Sequence, residues 1–512
     1  MLLTKQLAAF GFPPISMLKN STALTRIALA LLVAIVVIRP LTLGFFPLYD
    51  TTEARYAEIA RKMLELNDWV TPWFDYGVPF WGKPPLSFWL SALSMKLFGI
   101  NEFAARLPHY LCAFLLGWLV WDWAARNSRR EAFYAVALLA GSALFFSSAG
   151  AVMTDMELAL SCFLVMRGFW LGLHGTPEER KRERWLLFIG LGLGLLAKGP
   201  IAAVLSGLPI AVWTLFKSNI ATVWRGLPWL RGILLTLLIA VPWYLIAEQH
   251  TPGFLNYFLV GEHWHRFVTP GWSGDLYGHA HLYPHGTIWI FTFAALLPWV
   301  LILPIAAWQW RKSEPHKAND HSMLQSWRVY LLLWGIAPCI FFTEAANIIW
   351  TYDLPGLPAL ALWAASWLSN NPSPQRAEKL IIAGLIFTLL GWTGFLVKLE
   401  LRGKDDVKVA KALTLDYMAR RKNDEALTFY HNRPFSAQFY SRGKAQLVND
   451  LPTLSQKMDQ KRTYIALRPF QTQHLPTNLM QRLRLLERHG DFNLYVSEPA
   501  RNTVNASSLM YK

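Results

Sequence analysis

Long apolar runs separated by short charged loops fill the first four hundred residues. They cover about 24–45, 104–124, 131–149, 156–174, 185–197, 200–217, 229–247, 287–308, 328–345, 354–371 and 379–397. Most approach the roughly 20 residues that a helix needs to cross a bilayer, so the pattern predicts a mainly α, polytopic membrane protein with about 11–13 spans. The stretch "PPLSFWLSALSMKLFG" at 84–99 is shorter and carries Lys96, which predicts a helix lying in the membrane interface. From Arg402 onward the sequence turns charged and mixed. "EALTFY", "KAQLVN", "TYIALRP" and "FNLYVSE" predict strands, and 480–488 predicts a helix. Two domains follow: a membrane domain at 1–398, with a first outer loop at 46–103, and a small soluble α/β domain at 399–512.

Composition supports this division, because 54% hydrophobic residues, 25 tryptophans and 16% charged residues exclude one soluble domain of 512 residues. The formal charge of +16 does not point to nucleic acid, since the basic residues sit in short loops rather than along one face. Arg126, Arg129, Arg130, the 180–184 cluster, Lys217, Arg225, Arg311, Lys312, Lys317 and Arg376 fall on one side, which the positive-inside rule makes cytoplasmic. The N-terminus is then cytoplasmic. The outer face receives 46–103, the turn at 150–155, Lys198, the 248–286 loop and the soluble tail. The first run lacks a small-x-small cleavage site and is expected to stay as an anchor. Cys112, Cys162 and Cys339 lie inside apolar runs, which argues against a disulfide framework or a zinc site.

The chemistry collects on the outer side. "YDTTEARYAEIARKM" at 49–63 places Asp50 and Glu53 at capping-box spacing, then Arg55, Tyr56, Glu58, Arg61 and Lys62 at once. Asp155 and Glu157 open a span where an ionisable group needs a partner or a task. Arg55, Lys83, Lys198 and Arg266 each border membrane-embedded sequence, a distribution suited to a lipid-borne phosphate. The 248–286 loop adds Glu262, His263, His265, His279, His281 and His285 among aromatic residues. Their spacing matches no strong metal motif and is expected to serve packing and hydrogen bonding.

The motifs "TEARYAEIARKM", "DWVTPWFDYGVPFWGKPPLSFW", "FGINEFAARLP", "TDMELAL", "LLAKGP", "EHWHRF", "LPWVLILP" and "YDLPGLPALAL" occur in an order that resembles the GT-C membrane glycosyltransferases. The resemblance covers about 45–370. It is to the lipid A aminoarabinose transferases and, more remotely, the protein O-mannosyltransferases. It implies a GT-C fold and transfer of a sugar from undecaprenyl phosphate to lipid A or another envelope acceptor at the periplasmic face of a bacterial inner membrane. It also implies site roles: Asp50 or Glu53 as base, Asp155 as a second acid, Arg55, Lys83, Lys198 and Arg266 as phosphate donors, and Tyr56, Glu262, His263 and His265 as contacts to donor or acceptor. Thr52 stands where these relatives usually have aspartate, and Gly82 where the lipid A enzymes tend to have glutamate, so no divalent metal ligand is assigned. A polyprenyl-lipid transporter or a non-catalytic accessory subunit is the alternative class.

Overall fold

The computed structural model describes residues 22–497, apart from 218–219, 279–281, 311–320, 346, 371–372, 403–408 and 423–424. Its chain divides into two compact units: residues up to 44 with 62–394, and residues 45–61 with 395–512. His279, His281, Arg311, Lys312 and Lys317 lie outside the described residues.

The described part of the first unit is mainly helical, with a small hairpin of β1 (Trp73–Asp75) and β2 (Val78–Pro79). Among the described residues, six helices are long and apolar enough to cross a membrane: Ala23–Leu41, Glu102–Ala124, Asp155–His174, Trp229–His250, Leu324–Phe342 and Pro374–Leu401. The protein is therefore a multi-pass membrane protein. Leu86–Phe98, the expected interfacial helix, forms a shorter apolar helix of 13 residues.

Two runs that read as single spans are broken. Run 131–149 divides into Arg129–Ala140 and Ala143–Ser148, and run 287–308 into Thr287–Ala295 and Trp299–Trp310. Pro298 has no N–H to continue its helix, and a Cβ on Gly141 would meet the Trp299 ring at 2.6 Å. The two breaks pair with each other, because the Ala143 N–H donates to the Leu297 carbonyl at 2.8 Å. Apolarity alone does not show the second break, since Thr287–Ala295 and Trp299–Trp310 are both strongly apolar.

Asp155–His174 and Pro177–Lys198 form a tight helical hairpin. A Cβ on Gly190 would lie 2.8 Å from the Ser161 carbonyl oxygen, and one on Gly168 would fall on the Leu187 backbone nitrogen. Small residues admit such close approach where lipid offers no hydrophobic drive. Arg167, buried in this hairpin, pairs with Glu183 at 2.9 Å and Asp122 at 2.7 Å. Arg39, inside the first anchor, donates to the carbonyls of Phe146 and Ser147 and lies 4.7 Å from the Trp392 ring centroid. These partners give both cations a structural role.

The second unit contains a five-stranded sheet in the order β4 (Ala445–Val448), β3 (Leu427–Tyr430), β5 (Thr463–Leu467), β7 (Phe492–Ser497), β6 (Leu483–His489). β4, β3 and β5 run parallel, while β7 and β6 are antiparallel. Helix Lys411–Arg420 covers one face through Leu413 and Tyr417, and Leu454 and Met458 of Leu451–Gln460 cover the other. All four expected strands are present. The helix expected at 480–488 is instead strand β6, with a bulge between Leu485 and Glu487. Gly490, at φ 49°, turns the chain back onto β7, and that pairing decides a leucine pattern which fits either period.

Candidate functional site

In the first unit, charged residues of the 248–286 loop and Lys83 converge. Residues Tyr257–His265 form a π-helix, whose wide turn is a frequent mark of functional segments. Glu262 on this turn accepts from Lys83 Nζ at 2.6 Å and from Arg266 Nη1 at 2.7 and 2.8 Å. Arg266 also lies 3.6 Å from Asp275. Burial alone would raise the Glu262 carboxyl, but Lys83 and Arg266 hold it down at about 2. Burial opposes the charge on Arg266, yet Glu262 and Asp275 keep its guanidinium above the ordinary value. The Lys83 and Arg266 side chains remain 18% and 25% exposed while Glu262 is 4% exposed, so the cations reach the surface and the acid lies behind them.

The second convergence joins the first through His263. Lys198, which ends the helical hairpin, donates to Asp155 at 2.6 Å and sits 4.5 Å from the Tyr352 ring centroid. His263 places Nδ1 2.7 Å from the Phe258 carbonyl and Nε2 3.3 Å from the Lys198 carbonyl. Burial lowers its pKa, while the hydrogen bonds to the two carbonyls oppose that shift. Tyr352 is missing from the residues the sequence pointed to individually, although it opens the "YDLPGLP" motif. Its neighbour Asp353 is 3% exposed, and burial, opposed by hydrogen bonds from Thr292 and Cys339, pushes its carboxyl up to about 7.

Glu157 finds its partner within the membrane domain: it lies 2.6 Å from His109 Nδ1, and His109 Nε2 is 2.9 Å from Ser91 Oγ. Ser91 is 3.1 Å from the Ala105 carbonyl, so three helices are tied near the start of the helix bearing Asp155. His109 escaped the sequence reading because it lies inside an apolar run.

The remaining predicted residues belong to the second unit. The Thr52–Leu66 helix starts there, and the Tyr49 N–H donates to Glu53 Oε2 at 3.2 Å. Asp50 accepts from the Ser436 N–H at 3.1 Å and from the Ser436 hydroxyl. Burial, partly offset by the Ser436 and Phe435 hydrogen bonds, raises the Asp50 carboxyl to about 6. Arg55 lies 5.4 Å from the Tyr56 ring centroid and 5.9 Å from that of Phe435.

The loop histidines do not converge on one point among the described residues. His263 meets carbonyls, His265 stacks on Trp272 at 5.9 Å, and His285 lies 3.8 Å from Glu344. Asp416, Glu487 and His489 come together in the second unit, but Arg420 pairs with both acids there.

The described residues thus combine a multi-span helical membrane domain, in which a buried acid aligns two cations, with a small α/β unit. The family model for dolichyl-phosphate-mannose-protein mannosyltransferases matches residues 22–258. The chain is 29% identical over 391 residues to an undecaprenyl phosphate-alpha-4-amino-4-deoxy-L-arabinose arabinosyl transferase of Pseudomonas savastanoi pv. phaseolicola, covering 74% of this chain and 68% of that one. It is 30% identical over 353 residues to the transferase of the same name from Edwardsiella ictaluri, covering 68% of this chain and 60% of the relative. ArnT from Cupriavidus metallidurans, solved bound to undecaprenyl phosphate, shares the fold with a TM-score of 0.76 at 20% identity, covering 91% of this chain and 97% of that one. The chain is thus related in sequence to the aminoarabinose transferases and has the ArnT fold.

Proposed function

We propose that this protein transfers a sugar, aminoarabinose or a related pentose or hexose, from undecaprenyl phosphate to lipid A or another envelope acceptor. The site faces the periplasm in the bacterial inner membrane, with the N-terminus cytoplasmic and the C-terminal domain periplasmic. The observation that carries this reading is the pair Lys83 and Arg266, aligned by buried Glu262 yet partly open, beside Lys198.

As the acceptor oxygen bonds to the anomeric carbon, the bond from that carbon to the lipid phosphate oxygen breaks. The phosphate moves from one negative charge toward two. Donors fixed in advance at that oxygen stabilise the transition state more than the ground state. Glu262 restrains Lys83 and Arg266 before the lipid arrives, so little reorganisation accompanies the step. A hydroxyl acceptor must also lose a proton, and a carboxylate takes it. Lys83, Arg266 and Lys198 are matched by Glu262, Asp275 and Asp155. A phosphodiester therefore enters a neutral set, and a donor bearing its own ammonium group keeps the balance. This favours an amino sugar.

The test is reconstitution of the purified protein in lipid nanodiscs with undecaprenyl-phosphate aminoarabinose and lipid A, read by mass spectrometry. A product heavier by one aminoarabinose residue is expected. An unmodified acceptor across sugars and acceptors, with intact folded protein, would remove the reading.

A further inference from the structure

The second unit includes a contact that the transfer chemistry above leaves without a task. Its helix Phe435–Tyr440 meets residues 45–61 through several contacts. The Leu48 N–H donates to the Tyr440 hydroxyl at 2.9 Å, Asp50 takes both Ser436 donors, and Arg55 lies over Phe435. Ser436 is fully buried, and its oxygen also accepts from the Ala410 N–H at 2.9 Å, just before helix Lys411–Arg420. One serine thus joins the start of a domain helix to the acid two residues before Thr52–Leu66. An acid with both oxygens accepting hydrogen bonds is poorly placed to accept a proton, but well placed to fix a helix start. Glu53 and Arg55 lie within the first turn of that helix.

We propose that Ser436, acting through Asp50, is a positioning residue for sugar transfer: the C-terminal domain fixes the start of the first outer-loop helix and hence the orientation of Glu53 and Arg55. This rests on the transferase reading above. Asp50 in this role is a fixed acceptor rather than the base.

The experiment compares Ser436→Ala, Ser436→Thr, Asp50→Asn and the double variant Ser436→Ala/Asp50→Asn in the full-length protein. Transfer is read as kcat and donor KM per folded enzyme, and hydrogen exchange is followed on peptides spanning 48–60. Ser436→Ala is expected to lower kcat about tenfold to a hundredfold, the range for losing a hydrogen bond to a charged group, with donor KM within about twofold. Ser436→Thr, which keeps the hydroxyl, recovers most of the loss. The double variant is no worse than the poorer single variant, as for groups that act as a unit. Faster exchange in 48–60 accompanies the loss in Ser436→Ala. Unchanged exchange would show that the serine does not hold the loop, and faster exchange with wild-type kcat would show that holding it does not matter to transfer; either overturns the proposal. Absence of transfer by the wild type, with exchange still responding to Ser436→Ala, would overturn the transferase reading instead and leave only a structural contact.

Discussion

Replacing Glu262 by Gln isolates the charge that aligns Lys83 and Arg266. The amide keeps the shape and one acceptor oxygen, so what changes is one negative charge at 2.6–2.8 Å from two cations. Removing one member of a buried ion pair costs about 3–5 kcal/mol. Here Lys83 and Arg266 are partly exposed and Arg266 retains Asp275, so water and the second acid reduce the loss to about 2–3 kcal/mol. In a unit of this size that corresponds to a melting temperature lower by roughly 3 °C. The freed cations should bind a lipid phosphate more tightly, by about tenfold for one partly screened charge, or about 1.4 kcal/mol. Undecaprenyl phosphate at saturating, equal concentrations should then stabilise Glu262→Gln more than the wild type, by about the same 1.4 kcal/mol. Scanning fluorimetry of detergent-solubilised protein across a lipid phosphate titration reads both quantities. A variant that melts with the wild type and gains no extra lipid response would refute the idea that Glu262 restrains these cations.

Other outcomes follow from the same geometry. Lys198→Met strands the buried Asp155 carboxylate, and should cost about 3–5 kcal/mol and abolish transfer; thermal melting and turnover check it. Glu157→Gln breaks the buried link to His109 and should reduce the folded yield measured by size-exclusion chromatography, while the folded fraction keeps its affinity for undecaprenyl phosphate. Gly168→Ala should wedge the hairpin apart and cost about 1–3 kcal/mol, seen as a lower melting temperature. Asp50, raised from 3.8 to about 6, gives a pH dependence. Between those values the folded unit holds a proton that the unfolded chain releases, so stability falls as pH rises through the window and levels off above about 6. Asp50→Asn should flatten melting curves recorded from pH 4 to 7.

Much of this architecture was legible in the sequence because its signals are local. Apolar runs near the bilayer thickness gave the helices, and the return of charge after Arg402 gave the second fold. The pairing of the breaks at Gly141 and Pro298 rests on a hydrogen bond between segments over 150 residues apart, which no window contains. Strand β6 escaped for the same reason, since its pairing with β7 outweighs a local pattern that also suits a helix. At the site, Lys83, Lys198, Glu262, His263 and Arg266 stood out as charged or polar groups beside apolar sequence. Their division into Lys83–Glu262–Arg266 and Asp155–Lys198 needed coordinates. Tyr352 and Ser436 carry no charge, so nothing local distinguished them from packing residues.

The central claim is that the protein moves a sugar from a lipid phosphate held by Lys83 and Arg266. Mass spectrometry of envelope glycolipids tests it most directly, in a strain lacking this protein and complemented with wild type, Lys83→Ala or Arg266→Ala at equal membrane levels. The account predicts that a lipid A or other glycolipid species loses one sugar, that wild type restores it, and that neither variant does. Restoration by both variants, or an unchanged glycolipid profile with only the lipid-linked sugar pool redistributed, would contradict it.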